Sequence, residues 1–385
     1  MNANNRQQFF QPILAVGIVT LCMSSCGTSN IPQRFADYSP EEYNLQSLDR
    51  ITDNEDNQYG HPKGGDQGRD LFFDVRDTRG YCNIYHMSNP TARAISPKTN
   101  GNNINLMPSY CAKTNMIAFS GRQEGSSVAD IYMTNAADGV AIRRITNTPN
   151  DVEWFPCLSA DGNTIVYERV YAQGMLKDAQ IWKQDLRSEQ SSLLCSGRMP
   201  SLSHDGKYIT FVQFTADGKS ARLMVMEVNG KNQTELTDAK MGLAECPCFS
   251  PDDKQIVFQC MKADKQDRDL WVINRDGTGL TQLTFNKSFD GEPYWATEAN
   301  GDGYIYFSSD RGHNQNSYQI WRFKYGKFGG DRPGPVPGPD EYHVVKQGET
   351  ISKIANQYGV TVKDLVQWNN LKTMTVSPGM RLRVR

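Results

Sequence analysis

The chain has 385 residues, more than one ordinary hydrophobic core accommodates, so one large unit and a smaller domain are expected. Its 41 Lys and Arg nearly balance 43 Asp and Glu, and the net charge of −2 leaves no basic surplus for binding nucleic acid. We therefore expect no nucleic-acid partner.

The first residues have the pattern of an export signal. Arg6 precedes an apolar stretch at residues 9–23, and two serines and Cys26 follow. This stretch is short for a membrane-spanning helix, whereas a charged start, a short apolar middle and a small-residue end are typical of a cleaved signal peptide. The sequence therefore predicts that residues 1–25 are removed on export.

The sequence MSSCG at residues 23–27 resembles a bacterial lipoprotein box, in which the cysteine becomes the lipidated first residue of the mature protein. Its methionine stands where leucine is usual. The resemblance implies that Cys26 carries a lipid anchor in the membrane and that residues 26–43 form a tether. Gly27 after the cysteine implies the outer rather than the inner membrane. The alternative is an ordinary signal peptide with an incidental cysteine.

Seven further cysteines, at positions 82, 111, 157, 195, 246, 248 and 260, are interpreted as small core residues. Their number is odd, and their spacing matches no familiar set of metal ligands. We expect no metal and no cofactor.

A proline recurs at intervals of 44 to 48 residues. Each is followed by an apolar run whose last aromatic lies eleven residues further on in the first five units and fourteen in the sixth. Self-similarity at this period indicates stacked units that cannot bury their apolar faces alone. The prolines are Pro62, Pro108, Pro156, Pro200, Pro247 and Pro293, and the aromatics are Phe73, Phe119, Tyr167, Phe211, Phe258 and Phe307.

Each unit has the pattern of four short strands. In the third unit Asp161 and Gly162 separate two apolar runs, a strong hairpin signal because both residues tolerate the positive φ of tight turns. A third run follows around Ile181, and fourth runs such as residues 142–146 end the units. Four antiparallel strands in a unit of this length are typical of a propeller blade.

The sixth unit has no fourth strand of its own, because the chain enters a segment rich in Gly and Pro. The sequence LDRIT at residues 48–52 lies ten residues before Pro62, as IRRIT at residues 142–146 lies ten residues before Pro156. We therefore predict that residues near 46–52 supply the outer strand of the last blade. This pairing would close the ring and remove two exposed sheet edges.

The hairpin SPDDK at residues 250–254 and the run DLWVINRDG at residues 269–277 resemble those of TolB-type propellers, and the repeat resemblance covers residues 44–326. It implies a mainly β fold, a six-bladed β-propeller whose last blade is closed by an N-terminal strand. It also implies that the central channel or rim binds protein partners.

No catalytic residue is predicted. Propellers include both enzymes and scaffolds, so the fold does not decide between them. The sequence has no Gly-x-Ser-x-Gly elbow and no His-Glu-x-x-His zinc motif. His204 lies in a hairpin and is interpreted as a turn residue. A hydrolase whose site is assembled from several blades stays open as an alternative.

Residues 327–341 are rich in Pro and Gly and are predicted to form a semi-rigid linker. The pattern then changes to strand, helix, helix, strand, a small α+β unit at residues 342–385. Thr350 and Thr361 are predicted to cap the two helices, and a return strand is expected at residues 382–384.

The sequence HVVKQGETISKIANQYGVTVKDLVQWNN in this unit closely resembles a LysM domain, although Glu349 stands where aspartate is common. The resemblance implies binding of N-acetylglucosamine glycan, here peptidoglycan, in a groove between two loops. Capping or turn roles for Thr350 and Asn370, and core packing for Ile351, are alternatives. Carried onto this chain, the groove residues are Gly348, Glu349, Thr350, Ile351, Asn369, Asn370, Leu371 and Lys372.

These patterns predict a lipid-anchored protein on the periplasmic face of the outer membrane, bound to peptidoglycan through its C-terminal unit. That unit has seven Lys or Arg and two acidic residues, a charge of +5 that suits an anionic wall polymer or an ordinary solvated face. The propeller is predicted to be a scaffold for other envelope proteins, not an enzyme. A wall-targeted hydrolase and a secreted, unlipidated sugar-binding protein are the alternatives.

Overall fold

The computed structural model describes residues 45–65, 69–90, 93–171, 174, 178–262, 267–298, 300–311, 317–328, 342–358, 362, 365, 366, 369, 371 and 375–384. The predicted signal peptide, Cys26 and the tether lie outside these residues, as does most of the predicted linker. No helix among the described residues is long and apolar enough to cross a membrane.

The larger unit consists of six antiparallel groups of strands, the blades, preceded in the chain by the strand β1 (Gln46–Arg50). A single parallel pair joins the third strand of blade 1 to the first strand of blade 2, and another joins blade 4 to blade 5 in the same way. Blades 1 to 3 contain β2 (Gln58–Gly64), β3 (Leu71–Arg76), β4 (Cys82–Met87) and β5 (Ile95–Pro97); β6 (Ile104–Cys111), β7 (Met116–Arg122), β8 (Asp130–Asn135) and β9 (Arg143–Arg144); and β10 (Asp151–Leu158), β11 (Thr164–Tyr171), β12 (Gln180–Asp185) and β13 (Ser191–Ser196).

Blades 4 to 6 continue the same order, with a short 3-10 helix, Ala239–Met241, between blades 4 and 5. They contain β14 (Arg198–Leu202), β15 (Tyr208–Phe214), β16 (Ala221–Glu227) and β17 (Thr234–Glu235); β18 (Gly242–Phe249), β19 (Gln255–Lys262), β20 (Arg268–Asn274) and β21 (Thr281–Gln282); and β22 (Asp290–Thr297), β23 (Asp302–Ser309) and β24 (Gln319–Lys327).

The first strands of successive blades contact one another around a central channel. Contacts run from β2 to β6 and onward through β10, β14, β18 and β22, and β22 contacts β2 again. The blades therefore form a closed ring of six, which confirms the predicted propeller.

The outer strand of blade 6 comes from the other end of the unit. β1 pairs antiparallel with β24, joining Asp49 to Arg322 and Arg50 to Trp321. The amide of Ile51 also donates to the Ile320 carbonyl at 2.7 Å. The predicted closure by an N-terminal strand is confirmed.

A threonine ends the outer strand in blade 6 and helps to fix it. The amide of Ile320 donates to Thr52 Oγ1 at 2.9 Å, and that hydroxyl donates to Gln319 Oε1 at 2.8 Å. The same backbone-to-threonine bond recurs in four other blades, where the acceptors are Thr99, Thr146, Thr237 and Thr284. The threonine that follows the fourth strand therefore ties it to the third strand, and the residue before it is Ile or Leu in all of these blades except blade 1, where it is Lys98.

Each first strand bulges immediately before its repeat proline. The residue before the proline has a positive φ of 48° to 57°, and the register with the second strand shifts there. A bulge bends the strand and re-aims its side chains, and few residues other than glycine adopt this conformation. These six residues, named here the pre-proline ring, are His61, Met107, Phe155, Met199, Cys246 and Glu292.

The repeat aromatics form the contacts between blades. All six are at most 1% exposed, and each belongs to a core cluster shared with the preceding blade. Phe73 of blade 1, for example, packs with Tyr306 and Ile320 of blade 6. Burying one such ring contributes about 1.5–3 kcal/mol, so the propeller's core lies mainly between its sheets.

The C-terminal unit contains β25 (Tyr342–Val344), the helix α1 (Ile351–Tyr358) and β26 (Arg381–Arg383), and the two strands pair antiparallel. Of the second predicted helix, the structure describes residues 362, 365 and 366, all helical. The core of the unit is formed by Val345, Ile351, Ile354, Ala355, Leu365, Leu382 and Val384.

We predict that Thr52→Val weakens the closure of the ring. Valine keeps the shape but loses the hydroxyl, which leaves the Ile320 amide without its acceptor in a buried site, so the free energy of unfolding should fall by ~1–3 kcal/mol. Urea unfolding followed by tryptophan fluorescence measures the change. Thr234→Val, on the exposed outer strand of blade 4, is the matched control, and an equal loss in both variants would contradict the role of Thr52.

Candidate functional site

The first predicted groove loop begins at Gly348, whose φ is +82°. A side chain at this position would extend into open space. The next residue, Glu349, does not point outward freely. Its Oε2 accepts the Lys346 amide at 2.8 Å and lies 2.6 Å from Nε2 of the buried His343. These two contacts hold the pKa of Glu349 below its usual value and fix the loop.

Thr350 and Ile351 have structural roles at the start of α1. Thr350 Oγ1 accepts the Lys353 amide at 3.3 Å, which is helix capping. The side chain of Ile351 is 4% exposed and belongs to the core. The alternatives of capping for Thr350 and core packing for Ile351 therefore describe what these side chains do in the structure.

The second predicted groove loop is fixed by Asn369. Its Oδ1 accepts the Arg383 amide at 2.7 Å, and its Nδ2 donates to the carbonyls of Arg383 and Leu365 at 2.8 and 2.9 Å. The side chain thus joins the loop to β26. Leu371 packs partly buried against the core, and Asn370 and Lys372 lie outside the described residues.

The propeller has a cavity of about 210 Å³ in its channel, which the sequence reasoning did not identify. Five of the six repeat prolines and the whole pre-proline ring line it, together with Lys63, Tyr294 and several cysteines. The residue before each proline was the signal that could have found this site. It was missed because only the bulge turns these side chains toward the channel.

A buried histidine joins blades 6, 1 and 2 at the wall of this channel cavity. His61 Nδ1 lies 2.8 Å from Asp74 Oδ2, and its Nε2 lies 3.2 Å from Glu292 Oε1. Glu292 Oε2 accepts the His61 amide and the Ser308 hydroxyl, both at 2.8 Å. Asp74 Oδ2 also accepts the Met107 amide at 3.0 Å. Burial acts to lower the pKa of His61, but the carboxylates of Glu292 and Asp74 outweigh it and the pKa is raised.

Two further blades repeat this link through the residue that follows the repeat aromatic. Glu168 accepts the Met199 amide at 3.1 Å and the Arg198 Nε at 2.8 Å, and Gln259 accepts the Glu292 amide at 2.7 Å. In each case the amide of a pre-proline residue donates to a side chain of the preceding blade. The position directly after the repeat aromatic recurs with the period of the units. The sequence therefore contained this signal for the link between blades, although the sequence analysis did not identify it.

The remaining candidate residues have structural surroundings. His204 lies in its predicted turn, where its amide donates to Asp253 Oδ1 of the next blade at 2.8 Å. Burial raises the pKa of the Cys82 and Cys260 thiols to about 12, which suits inert core residues. In the described part of the chain, no group of three or more His, Cys, Asp or Glu side chains is placed to hold a metal ion.

Comparison with known proteins gives two family matches. The family described as TolB beta propeller domain matches residues 198–329, and the family described as LysM domain matches residues 343–385. A solved structure of a putative TolB from Agrobacterium tumefaciens has a TM-score of 0.52 and 17% identity, covering 72% of this chain and 96% of that chain. At that identity the likeness establishes the fold.

Curated relatives are similar over short stretches. The probable endopeptidase p60 of Listeria monocytogenes is 40% identical over 43 residues, which are 11% of this chain and 9% of that protein. Membrane-bound lytic murein transglycosylase D of Escherichia coli is 39% identical over 49 residues, 13% of this chain and 11% of that protein. The chain therefore spans only about a tenth of the length of these relatives.

The raised pKa of His61 predicts a specific pH dependence of stability. Its protonated form is favoured by folding, so its contribution is complete below the ordinary pKa of 6.5 and is lost as the pH rises through the raised folded value. His61→Asn leaves two buried carboxylates without their cation, so the unfolding free energy at acidic pH should fall by ~3–5 kcal/mol. The variant should also lack the loss of stability that the wild type shows as the pH rises.

Chemical denaturation between about pH 6 and 9 measures how the unfolding free energy of the wild type and of the variant depends on pH. The control is His86→Gln. Burial lowers the pKa of His86, so its contribution is lost as the pH falls, the opposite direction. Parallel pH profiles for wild type and His61→Asn would contradict the assignment.

Proposed function

We propose that this chain, a TolB-type propeller joined to a LysM domain, is a lipid-anchored envelope protein that holds peptidoglycan and presents its propeller to other envelope proteins. The LysM match over residues 343–385 carries the proposal, because a LysM domain implies peptidoglycan binding. A TolB-like propeller implies a scaffold for protein interactions in the envelope.

The relatives support a wall glycan as the ligand. One of them is named for murein, and 49 of its residues are similar to this chain. We therefore assign the LysM domain an N-acetylglucosamine-containing glycan of peptidoglycan. The transglycosylase's own activity is not transferred, because the similarity covers only 11% of that protein.

The two loops suggest how the glycan would be held. The side chains of Glu349 and Asn369 are occupied inside the domain, so the groups left for a sugar at these positions are mainly backbone amides and carbonyls. Acetamido sugars offer amide and hydroxyl groups that such donors and acceptors match. We assign Leu371 to the acetamide methyl group, and Asn370 and Lys372 to polar contacts at the same edge.

The channel cavity supports the scaffold role of the propeller. Five prolines line it, and because proline has a fixed φ and no amide donor, they make a rigid and largely apolar rim. We propose that a segment of an envelope protein enters here. Lipidation at Cys26, the tether at residues 26–43 and the outer membrane complete the proposal from the sequence.

A wall-targeted hydrolase would need a base in the propeller. Both ring nitrogens of His61 face carboxylates, so this histidine has no nitrogen directed at a substrate. Release of soluble fragments from peptidoglycan would nevertheless favour the hydrolase over the scaffold.

We predict that Gly348→Asn weakens binding of the full chain to purified sacculi by at least about tenfold, or ~1.4 kcal/mol. Asparagine tolerates the positive φ but places a side chain at the mouth of the groove. Gly379→Asn is the matched control, since Gly379 also has a positive φ, +85°, and open space around it, on a different turn of the same domain. Co-sedimentation with sacculi measures both.

Equal binding by wild type and Gly348→Asn would contradict the assigned groove, and failure of the wild type to sediment would contradict the proposed ligand. Chromatography of the supernatant detects any released fragments. The mass of the mature N-terminus in the same preparation tests the lipid on Cys26.

A further inference from the structure

The pre-proline ring places an unusual set of side chains around the channel. Six equivalent positions on six blades carry His61, Met107, Phe155, Met199, Cys246 and Glu292, and all of them line the channel cavity. Three of the six carry sulfur. Cys111, Cys157 and Cys248 line the same cavity, so six of its lining side chains carry sulfur.

Two of these sulfur atoms touch. Cys246 Sγ lies 3.8 Å from Met199 Sδ, and the Cys246 amide donates to the same Sδ at 3.4 Å. The amide and the thiol of Cys246 both donate to this thioether, so a metal ion bound by the pair would take the place of the thiol proton. Met199 is 2% exposed and packs with Val212 and Phe155, so the pair lies at an apolar wall of the channel.

The oxygen and nitrogen atoms of His61 and Glu292 face each other in the link between blades 1 and 6. His61 lies between Asp74 and Glu292, and the second oxygen of Glu292 accepts two hydrogen bonds. A hard cation such as Ca²⁺ or Mg²⁺, which needs several oxygen ligands, would have to break this link between blades. A soft ion needs only the sulfur atoms.

We propose that Met199 and Cys246 bind one soft monovalent metal ion, Cu(I), in the channel. An ion about 2.3 Å from each of two sulfur atoms 3.8 Å apart subtends an S–metal–S angle of about 110°, a tetrahedral value. The two sulfur positions therefore need no rearrangement to become ligands.

Thioether and thiolate ligands select Cu(I), whereas zinc sites use thiolate, imidazole and carboxylate. Binding converts the Cys246 thiol into a metal-bound thiolate and releases one proton, while Met199 donates a lone pair and the ion keeps its oxidation state. Affinity therefore rises with pH. The apolar packing around Met199 excludes competing water ligands.

A second cysteine–methionine pair provides a matched control. Cys195 Sγ also lies 3.8 Å from Met226 Sδ, but this pair belongs to the core cluster between blades 3 and 4, and neither residue lines the channel cavity. Burial raises the pKa of Cys195 to about 11, which opposes formation of the thiolate at neutral pH. The same sulfur–sulfur distance is thus present outside the channel cavity.

The test is anaerobic titration of the full chain with Cu(I) against a competing Cu(I) chelator, for wild type, Met199→Leu, Cys246→Ser and Cys195→Ser. We expect one ion per chain, with two sulfur ligands at about 2.3 Å by X-ray absorption. Met199→Leu and Cys246→Ser should each weaken binding at least about 100-fold, since even outer-shell changes cost 10–100-fold. Cys195→Ser should bind like wild type.

Met199→Leu conserves volume and so keeps a folded variant in the series. The proposal is overturned if wild type loses Cu(I) to the chelator completely. It is also overturned if both channel variants bind like wild type, which would make the sulfur contact a packing contact only, or if Cys195→Ser loses as much affinity as Cys246→Ser.

Discussion

Thr52 and Gln319 share a hydrogen bond although 267 residues separate them in the chain. Bringing such distant segments together costs chain entropy, and a blade without neighbours exposes sheet edges and two apolar faces. The pairing of β1 with β24 completes blade 6 and closes the ring, in which every repeat aromatic packs on the blade before it. The burial that stabilises each blade therefore depends on this one closure.

Inside the ring, closure creates a different constraint. The bulge before each proline turns a backbone amide toward the neighbouring blade, and a buried amide needs an acceptor. Asp74, Glu168, Gln259 and Glu292 supply acceptors for the amides of the next blade. Buried carboxylates are costly unless they are paired, which explains why His61 and Arg198 stand beside them.

Much of this fold could be predicted from the sequence because it rests on period. The spacing of the prolines gave the number of blades, and the aromatics indicated the contacts between them. The similarity of LDRIT at residues 48–52 to IRRIT identified the closing strand. The side chains that line the channel could not be predicted in the same way. The residue before a proline is normally extended, so nothing in the sequence indicated that His61 or Met199 adopts a positive φ and faces the axis.

The groove predicted in the LysM domain shows the opposite difficulty. Residue types suited to sugar binding were easy to identify, yet Glu349 and Asn369 use their side chains to hold the loops in place. Polar residues in tight loops are needed for backbone hydrogen bonds as often as for ligands, and the sequence does not separate the two uses. The loops, rather than these side chains, are therefore the features that define the groove.

The proposed scaffold function needs a rigid propeller, and the closed ring provides it. Native-state hydrogen exchange of the Ile320 amide tests this most directly, in the full chain and in a chain lacking residues 43–56. The account predicts that this amide, which donates to Thr52, loses its protection in the deletion while the equivalent Ile131 amide, which donates to Thr146, keeps more of it. Unchanged protection of Ile320, together with an unchanged melting temperature, would contradict closure by the N-terminal strand.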